Sequence, residues 1–156
     1  MTGWIIGLLV LALAGGVAWI RLAPSDPGRW HVDLAAPGFL APGNAHVFCV
    51  RPDNRYGPIV GDPADLLARL DARALATART VRLAGSVAEG RITWVTRSAV
   101  MGFPDYTTAQ VMAGPGLCVM GRQRFGSEDM GVNAARIGGW MQDVLGLNET
   151  PDMTGF

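Results

Sequence analysis

The polar residues best suited to chemistry are concentrated in residues 123–136, which read QRFGSEDMGVNAAR. This stretch brings Arg124 and Arg136 together with Asp129 and Asn133 where a helix should begin. Two guanidinium groups beside a helix N-terminus could bind a small anion or a carboxylate. The same side chains could instead be structural, with Arg124 paired to Asp129 and that carboxylate capping the helix.

Two further polar residues, Arg97 and Asp105, lie at the ends of predicted strands. Strand ends and turns meet at a sheet edge, so these residues could converge there with Arg124 and Asp129. One reading is a structural network of arginines and carboxylates that fixes loops. The other is a pocket for a carboxylate, a phosphate or a lipid head group. Catalysis in that pocket would have to use Asp105 and Asp129 alone, since neither histidine is nearby in sequence.

The sequence contains no nucleophile elbow, no phosphate-binding glycine loop and no CxxC motif. His46 and Cys49 have a ligand-like spacing, but only His31 and Cys118 remain as further soft donors, so we predict no metal and no cofactor. The pattern favours a protein that is not an enzyme. In an oxidising compartment the two cysteines could form a disulfide, and otherwise they would be buried free thiols, the state that we favour here.

The stretch at residues 123–136 resembles the C-terminal signature of a proteobacterial and plastid family, number fourteen ninety-nine among the domains of unknown function. That signature reads roughly S-R-x-G-x-S-D-x-G-x-N-x-x-R, and the matching positions here are Arg124, Gly126, Asp129, Gly131, Asn133 and Arg136. The family's F-x-D motif is similar to Phe103-Pro104-Asp105, but Tyr106 and Thr108 replace its later acids. The resemblance covers residues 44–144. It implies a fold and a location in the cell envelope, not an activity.

Residues 3–20 are uncharged, with Trp4 and Trp19 near the two ends. A helix of this length would span roughly 27 Å, enough to cross a hydrocarbon core. We predict a single-pass anchor whose partner is the lipid bilayer. A cleaved signal peptide is the alternative, with an A-x-A site at residues 12–14, but the basic n-region is missing and cleavage there would leave a short apolar core.

The side of the membrane is harder to predict from charge. Arg21 and Arg29 follow the anchor, which by the positive-inside rule favours a cytoplasmic domain. The family resemblance favours export, and we place the domain on the periplasmic side of the inner membrane. The 13 basic residues balance the 13 acidic ones, and no basic patch with interleaved aromatics is present, so no nucleic-acid partner is expected.

Local signals define the elements that must position these residues. Four prolines in residues 21–43 indicate an extended tether or a strap over the domain, which Trp30 and His31 could pin down. Asp62 and Pro63 begin a helix with an apolar stripe. Alternating runs predict strands and a second amphipathic helix follows them; these ranges are 80–84, 91–100, 105–113 and 117–124 for the strands and 133–145 for the helix.

The chain thus divides into an anchor (1–21), a proline-rich tether (22–43), a domain (44–146) and a loose tail (147–156). The predicted fold class is α+β, with a four-stranded antiparallel sheet and two helices on one face. The predicted function is a membrane-anchored, non-enzymatic accessory or interaction protein of the bacterial envelope, which could belong to a membrane protein complex. The alternative is a domain that binds, and could hydrolyse, a small anion or lipid through the arginine and aspartate residues.

Overall fold

A computed structural model describes residues 2–50, 61–113 and 116–146. The predicted loose tail and the turn at residues 114–115 lie outside these ranges. The described part contains four helices and five strands in mixed order. The helices are α1 (Thr2–Leu22), α2 (Pro27–Trp30), α3 (Pro63–Leu75) and α4 (Val132–Leu145), and the strands are β1 (Ala45–Val50), β2 (Thr80–Ser86), β3 (Arg91–Arg97), β4 (Pro104–Met112) and β5 (Gly116–Gln123).

The α+β class is confirmed, but the antiparallel sheet has five strands, so the prediction of four is wrong. Its order is β1-β5-β4-β3-β2. Strands β2 to β5 form the predicted meander, in which each strand pairs with the next in sequence. The additional strand is β1, which pairs with β5 although most of the domain's sequence lies between them. Its six residues show no hairpin signal, because the pairing partner lies far away in the sequence.

The pairing of β1 with β5 also overturns the prediction of free thiols. Cys49 lies directly opposite Cys118 in the register, and the two form a disulfide across a sequence separation of 69. Opposed side chains on neighbouring strands project from the same face and lie close together. The disulfide therefore ties the edge strand β1 covalently to the rest of the sheet.

Helices α3 and α4 cover one face of the sheet and form the main core with it. As predicted, Asp62 caps α3, since its carboxylate accepts a hydrogen bond of 2.9 Å from the backbone N–H of Ala64. Trp94 of β3 meets Trp140 of α4 edge to face, with ring centroids 5.9 Å apart. The indole N–H of Trp94 donates to Asp71 of α3 over 2.9 Å. We call this side the helix face.

The opposite face is covered by the proline-rich segment, residues 23–43, which is a strap and not a free tether. The ring of Trp30 is 5% exposed and stacks on Tyr106 of β4, with centroids 3.8 Å apart. The Nδ1 atom of His31 lies 2.8 Å from the hydroxyl of Thr93. As expected from the sequence, Trp30 and His31 hold the segment in place. We call this side the strap face.

Helix α1 precedes the strap and stays outside the core. The segment Gly3–Leu22 has a mean hydropathy of 2.2, none of it is buried, and it is the one helix in the described ranges long and apolar enough to cross a membrane. A membrane anchor and a signal sequence share these properties. The end of α1 contacts the domain, since Arg21 donates a hydrogen bond of 2.7 Å to the carbonyl of Val100.

Candidate functional site

The predicted site residues gather at one end of the sheet but are divided between its two faces. Asp105 and Arg136 lie on the helix face, whereas Arg97 and Arg124 lie on the strap face. Successive side chains in a strand point to opposite faces, which separates residues that are close in sequence. The pocket with two arginines that the sequence suggested is therefore not formed by Arg124 and Arg136.

On the helix face, Arg136 of α4 bonds two other residues of the predicted site, Asp105 and Asn133. Its guanidinium donates to Asp105 over 2.9 Å and to the side-chain oxygen of Asn133 over 2.7 Å. Both members of the ion pair are largely buried. Burial raises the pKa of the Asp105 carboxyl above its ordinary value, although the Arg136 guanidinium acts in the opposite direction. Because Arg136 and Asp105 neutralise each other, the pair offers no net positive charge to an anion.

Asp129 stabilises the start of α4 and does not pair with Arg124. Gly131 occupies the cap position with a left-handed backbone (φ 80°), and it contributes no side-chain bond. The Asp129 carboxylate accepts from the backbone N–H groups of Gly131 at 2.9 Å and Asn133 at 2.7 Å. Burial alone would raise the pKa of the Asp129 carboxyl, but these two N–H groups lower it below its ordinary value. This part of the motif is thus a helix cap.

The helix face also contains polar atoms that no sequence pattern singled out. Four buried side-chain atoms in the described ranges have no hydrogen-bond partner, and they belong to Thr107, Gln123 and Asn133. Gln123 is opposite Asp105 in the sheet register, and Thr107 is opposite Gly121. A methyl group added at Gly121 would lie 3.2 Å from Asn133. The atoms therefore surround one region, and we call Asp105, Thr107, Gln123, Asn133 and Arg136 the helix-face polar cluster.

The chemistry of this cluster is that of a neutral site. The amide of Gln123 offers both a donor and an acceptor, and the hydroxyl of Thr107 can act as either. The side-chain amide of Asn133 also lies near the Asp129 carboxylate and helps to lower the pKa of that carboxyl, so it is the least available donor of the cluster. Its one carboxylate, Asp105, is already bonded to Arg136. Within the described residues, no group of three or more His, Cys, Asp and Glu side chains is placed to hold a metal ion. The cluster presents unpaired donors and acceptors, but it provides no paired nucleophile and base.

The strap face presents a contrasting set of side chains. Arg97 donates to the carbonyl of Gly102 at 3.1 Å, and Arg124 donates to that of Pro24 at 2.5 Å. Arg79, which sequence reasoning missed, donates to the carbonyl of Arg97 at 3.1 Å.

Arg21, also missed, completes the set through its bond to Val100. We call Arg21, Arg79, Arg97 and Arg124 the juxtamembrane arginines. Each is hydrogen-bonded to a backbone carbonyl, and no carboxylate of the described residues lies within ion-pair distance of any of them. Their positive charges are therefore not neutralised by the described part of the domain.

Comparison with known proteins identifies a family but no function. No curated protein matches the chain. The family model described as "Protein of unknown function (DUF1499)" matches residues 23–144, a range that includes the strap as well as the sheet and the helices. The match confirms the resemblance carried by the motif at residues 124–136. The chain therefore belongs to the DUF1499 family of proteins of unknown function.

Proposed function

We propose that this protein is a single-pass membrane protein with no enzymatic activity of its own, whose domain serves as an accessory or interaction module fixed at the bilayer surface. The observation that carries the proposal is the clamp between the apolar helix and the sheet. Only residues 23–26 separate α1 from α2. The carbonyl of Pro24 accepts from Arg124, and the hydroxyl of Ser25 lies 2.9 Å from that of Tyr106.

The clamp determines where the domain can be. A flexible tether of about 22 residues would let it move roughly 25 Å from the membrane. Here the strap is bonded to the sheet directly after α1, and Trp30 is buried against Tyr106. With α1 in the bilayer, the domain must lie on its surface. Such a position suits a module that contacts membrane proteins or lipids.

The contacts that the candidate acid and base residues make within the fold support a non-enzymatic role. Asp105 is committed to Arg136, and Asp129 to the start of α4. His31 bonds Thr93 and Glu89 within the strap contact. The chain Thr93–His31–Glu89 has the order of an activated nucleophile, but Thr93 is 0% exposed and its hydroxyl is also bonded to Thr108, so it does not face a substrate. These acids and this histidine hold elements of the fold together.

The disulfide supports a periplasmic location for the domain. Disulfides persist in oxidising compartments and are rare where thiols are kept reduced. A bond between Cys49 and Cys118 therefore outweighs the small charge bias of Arg21 and Arg29 towards the cytoplasm. Alkylation of the thiols with a maleimide polymer, before and after reduction, tests the location. Modification without prior reduction in freshly lysed cells would place the domain in the cytoplasm.

The membrane role is tested with tagged full-length protein. We expect the protein to remain in the membrane pellet after an alkaline wash and to have the mass of the uncleaved chain. Purification in mild detergent should then recover a membrane protein partner in fixed stoichiometry. A shortened chain in the soluble fraction would show that α1 is a signal sequence, and a lone polypeptide would count against the accessory role.

A second candidate function is favoured by the helix-face polar cluster. Leaving a buried polar atom unpaired costs about 1–3 kcal/mol, so a small neutral molecule that donates and accepts hydrogen bonds would be held by Thr107, Gln123 and Asn133. Small molecules released from the denatured protein can be identified by mass spectrometry. Thr107→Val, which keeps the shape, should lower their amount. An equal yield from both proteins would contradict this candidate.

A further inference from the structure

We propose that three of the juxtamembrane arginines, Arg21, Arg79 and Arg97, bind the phosphate of an anionic phospholipid in a cavity between α1 and the edge of the sheet. The proposal rests on the proposed function in one respect, since it requires that α1 stays in the bilayer. It adds a ligand class and a site. Neither Arg21 nor Arg79, two of the residues that build the site, belongs to the family motif.

The cavity has the size and lining of a head-group site. Its volume is about 470 Å³, within the range of small-molecule pockets. Arg21, Arg79 and Arg97 contribute the polar part of the wall, and Val81 and Val95 contribute the apolar part. Gly102 makes room for Arg21, because a methyl group at that glycine would lie only 2.8 Å from the Arg21 side chain.

The charge of the site is complementary to a phosphate. A guanidinium carries five N–H donors in a planar fork that matches phosphate oxygens. Arg21, Arg79 and Arg97 each have a hydrogen bond to one backbone carbonyl, which leaves donors available on every group. With no carboxylate of the described residues in ion-pair range, three positive charges face one cavity. An anion is the partner that relieves this concentration of charge.

The surroundings of the cavity favour a lipid over a free phosphate ion. Exposed apolar side chains flank the arginines, with Leu22 81%, Val81 58% and Val100 78% exposed. Trp19, near the end of α1, is 75% exposed and suits the membrane interface. Free phosphate would gain nothing from these apolar side chains, whereas a phospholipid can contact them with its glycerol and acyl chains while the arginines hold its phosphate.

Arg124 extends the same surface around α1. A second cavity of about 380 Å³ lies between the end of the helix and this arginine, and Trp19 and Leu22 line it. Its wall combines apolar residues of α1, the first residues of the strap and one guanidinium. The helix exits the bilayer between two arginine-lined cavities, which places the arginines at the depth of the phosphates.

The test uses full-length protein in mild non-ionic detergent, presented with equal amounts of phosphatidylglycerol and phosphatidylcholine and examined by native mass spectrometry. We expect phosphatidylglycerol to be retained preferentially. Arg79→Gln should lower its occupancy about fivefold, as expected for one basic residue at a membrane surface. Arg79→Lys should keep most of the preference.

Arg69→Gln is the matched control, because Arg69 is exposed on α3, across the sheet from the cavity. Its lipid preference should equal that of the parent protein, and melting curves should show that all variants are folded. In a second arm, inorganic phosphate is added without lipid. If phosphate stabilises the protein in a manner that depends on Arg79, and neither lipid is preferred, the ligand is a free anion and the phospholipid proposal is wrong.

No preference between the lipids and no effect of phosphate would overturn the site itself. This failure is distinguishable from failure of the anchor. The alkaline wash reports on α1 alone, so a protein that stays in the membrane pellet but lacks a lipid preference refutes only the lipid site.

Discussion

The packing of α4 on β5 can be tested with a single methyl group at Gly121. In the structure this methyl would lie 2.9 Å from the side-chain methyl of Ile137 and 3.2 Å from two atoms of Asn133. Overpacking of this kind costs about 1–3 kcal/mol. The lost flexibility of glycine in the unfolded chain returns about 0.5–1 kcal/mol. The difference between these two ranges is about 0–2.5 kcal/mol, so Gly121→Ala is expected to lower the free energy of unfolding by an amount near the middle of it, about 1 kcal/mol.

Gly139 in α4 provides the same chemical change with the opposite expected sign. A methyl group there meets nothing within 4 Å, and alanine is favoured over glycine inside a helix by about 0.5–1 kcal/mol. Urea unfolding of the full-length protein in detergent, followed by near-UV circular dichroism, measures both variants. If Gly121→Ala were as stable as Gly139→Ala, α4 would not approach β5 this closely, and the arrangement of the helix-face polar cluster would be refuted.

Three further predictions concern the strap, the disulfide and the cap of α4. Trp30→Ala should destabilise the domain by about 3–5 kcal/mol in urea, because a buried aromatic side chain is lost, whereas Leu40→Ala, at an 86% exposed side chain, should change stability by less than about 0.5 kcal/mol. Equal losses of stability in the two variants would contradict the packing of the strap on the sheet. Reduction of the disulfide should lower the free energy of unfolding by about 2–4 kcal/mol, measured by urea unfolding with and without reductant. An unchanged free energy would contradict the bond between Cys49 and Cys118. The lowered pKa of Asp129 adds stability that is present above pH ~4 and is lost as pH falls through that pKa, whereas the raised pKa of Asp105 makes its own contribution decrease as pH rises. Asp129→Asn should thus flatten the loss of stability that occurs as pH falls below about 4, and an unchanged slope would contradict the cap.

Much of the fold was predictable because its signals are local. Asp62 and Pro63 mark the start of α3, and the alternating runs of β2 to β5 are joined by short turns that favour antiparallel neighbours. Strand β1 carries no such signal. Its pairing is set by β5, from which its residues are separated by a helix and three strands, and the disulfide depends on that pairing. Both were missed for the same physical reason.

The position of the candidate site could be predicted from the sequence, but which of its residues share a face of the sheet was not predicted. Polar residues at strand ends and at the start of α4 do meet at one end of the sheet. Gln123 and Arg124 are adjacent in sequence, yet one is buried on the helix face and the other reaches the strap. The two-residue period of a strand carries this information, since Gln123 continues the series of Val119 and Gly121 towards the core. Applied to β5, that rule would have separated the two faces.

The family motif is best explained by the structure as a device that assembles the domain. Arg124 bonds the strap next to α1, and Asp129 fixes the start of α4. Arg136 joins α4 to Asp105, the aspartate of the F-x-D motif. These groups are used within the fold. Among the described residues, polar groups with unused hydrogen-bonding capacity include the guanidinium donors of Arg21, Arg79 and Arg97 and the unpaired atoms of Thr107, Gln123 and Asn133. Of these six residues only Asn133 belongs to the motif, so a search for the ligand should begin with residues that the motif does not contain.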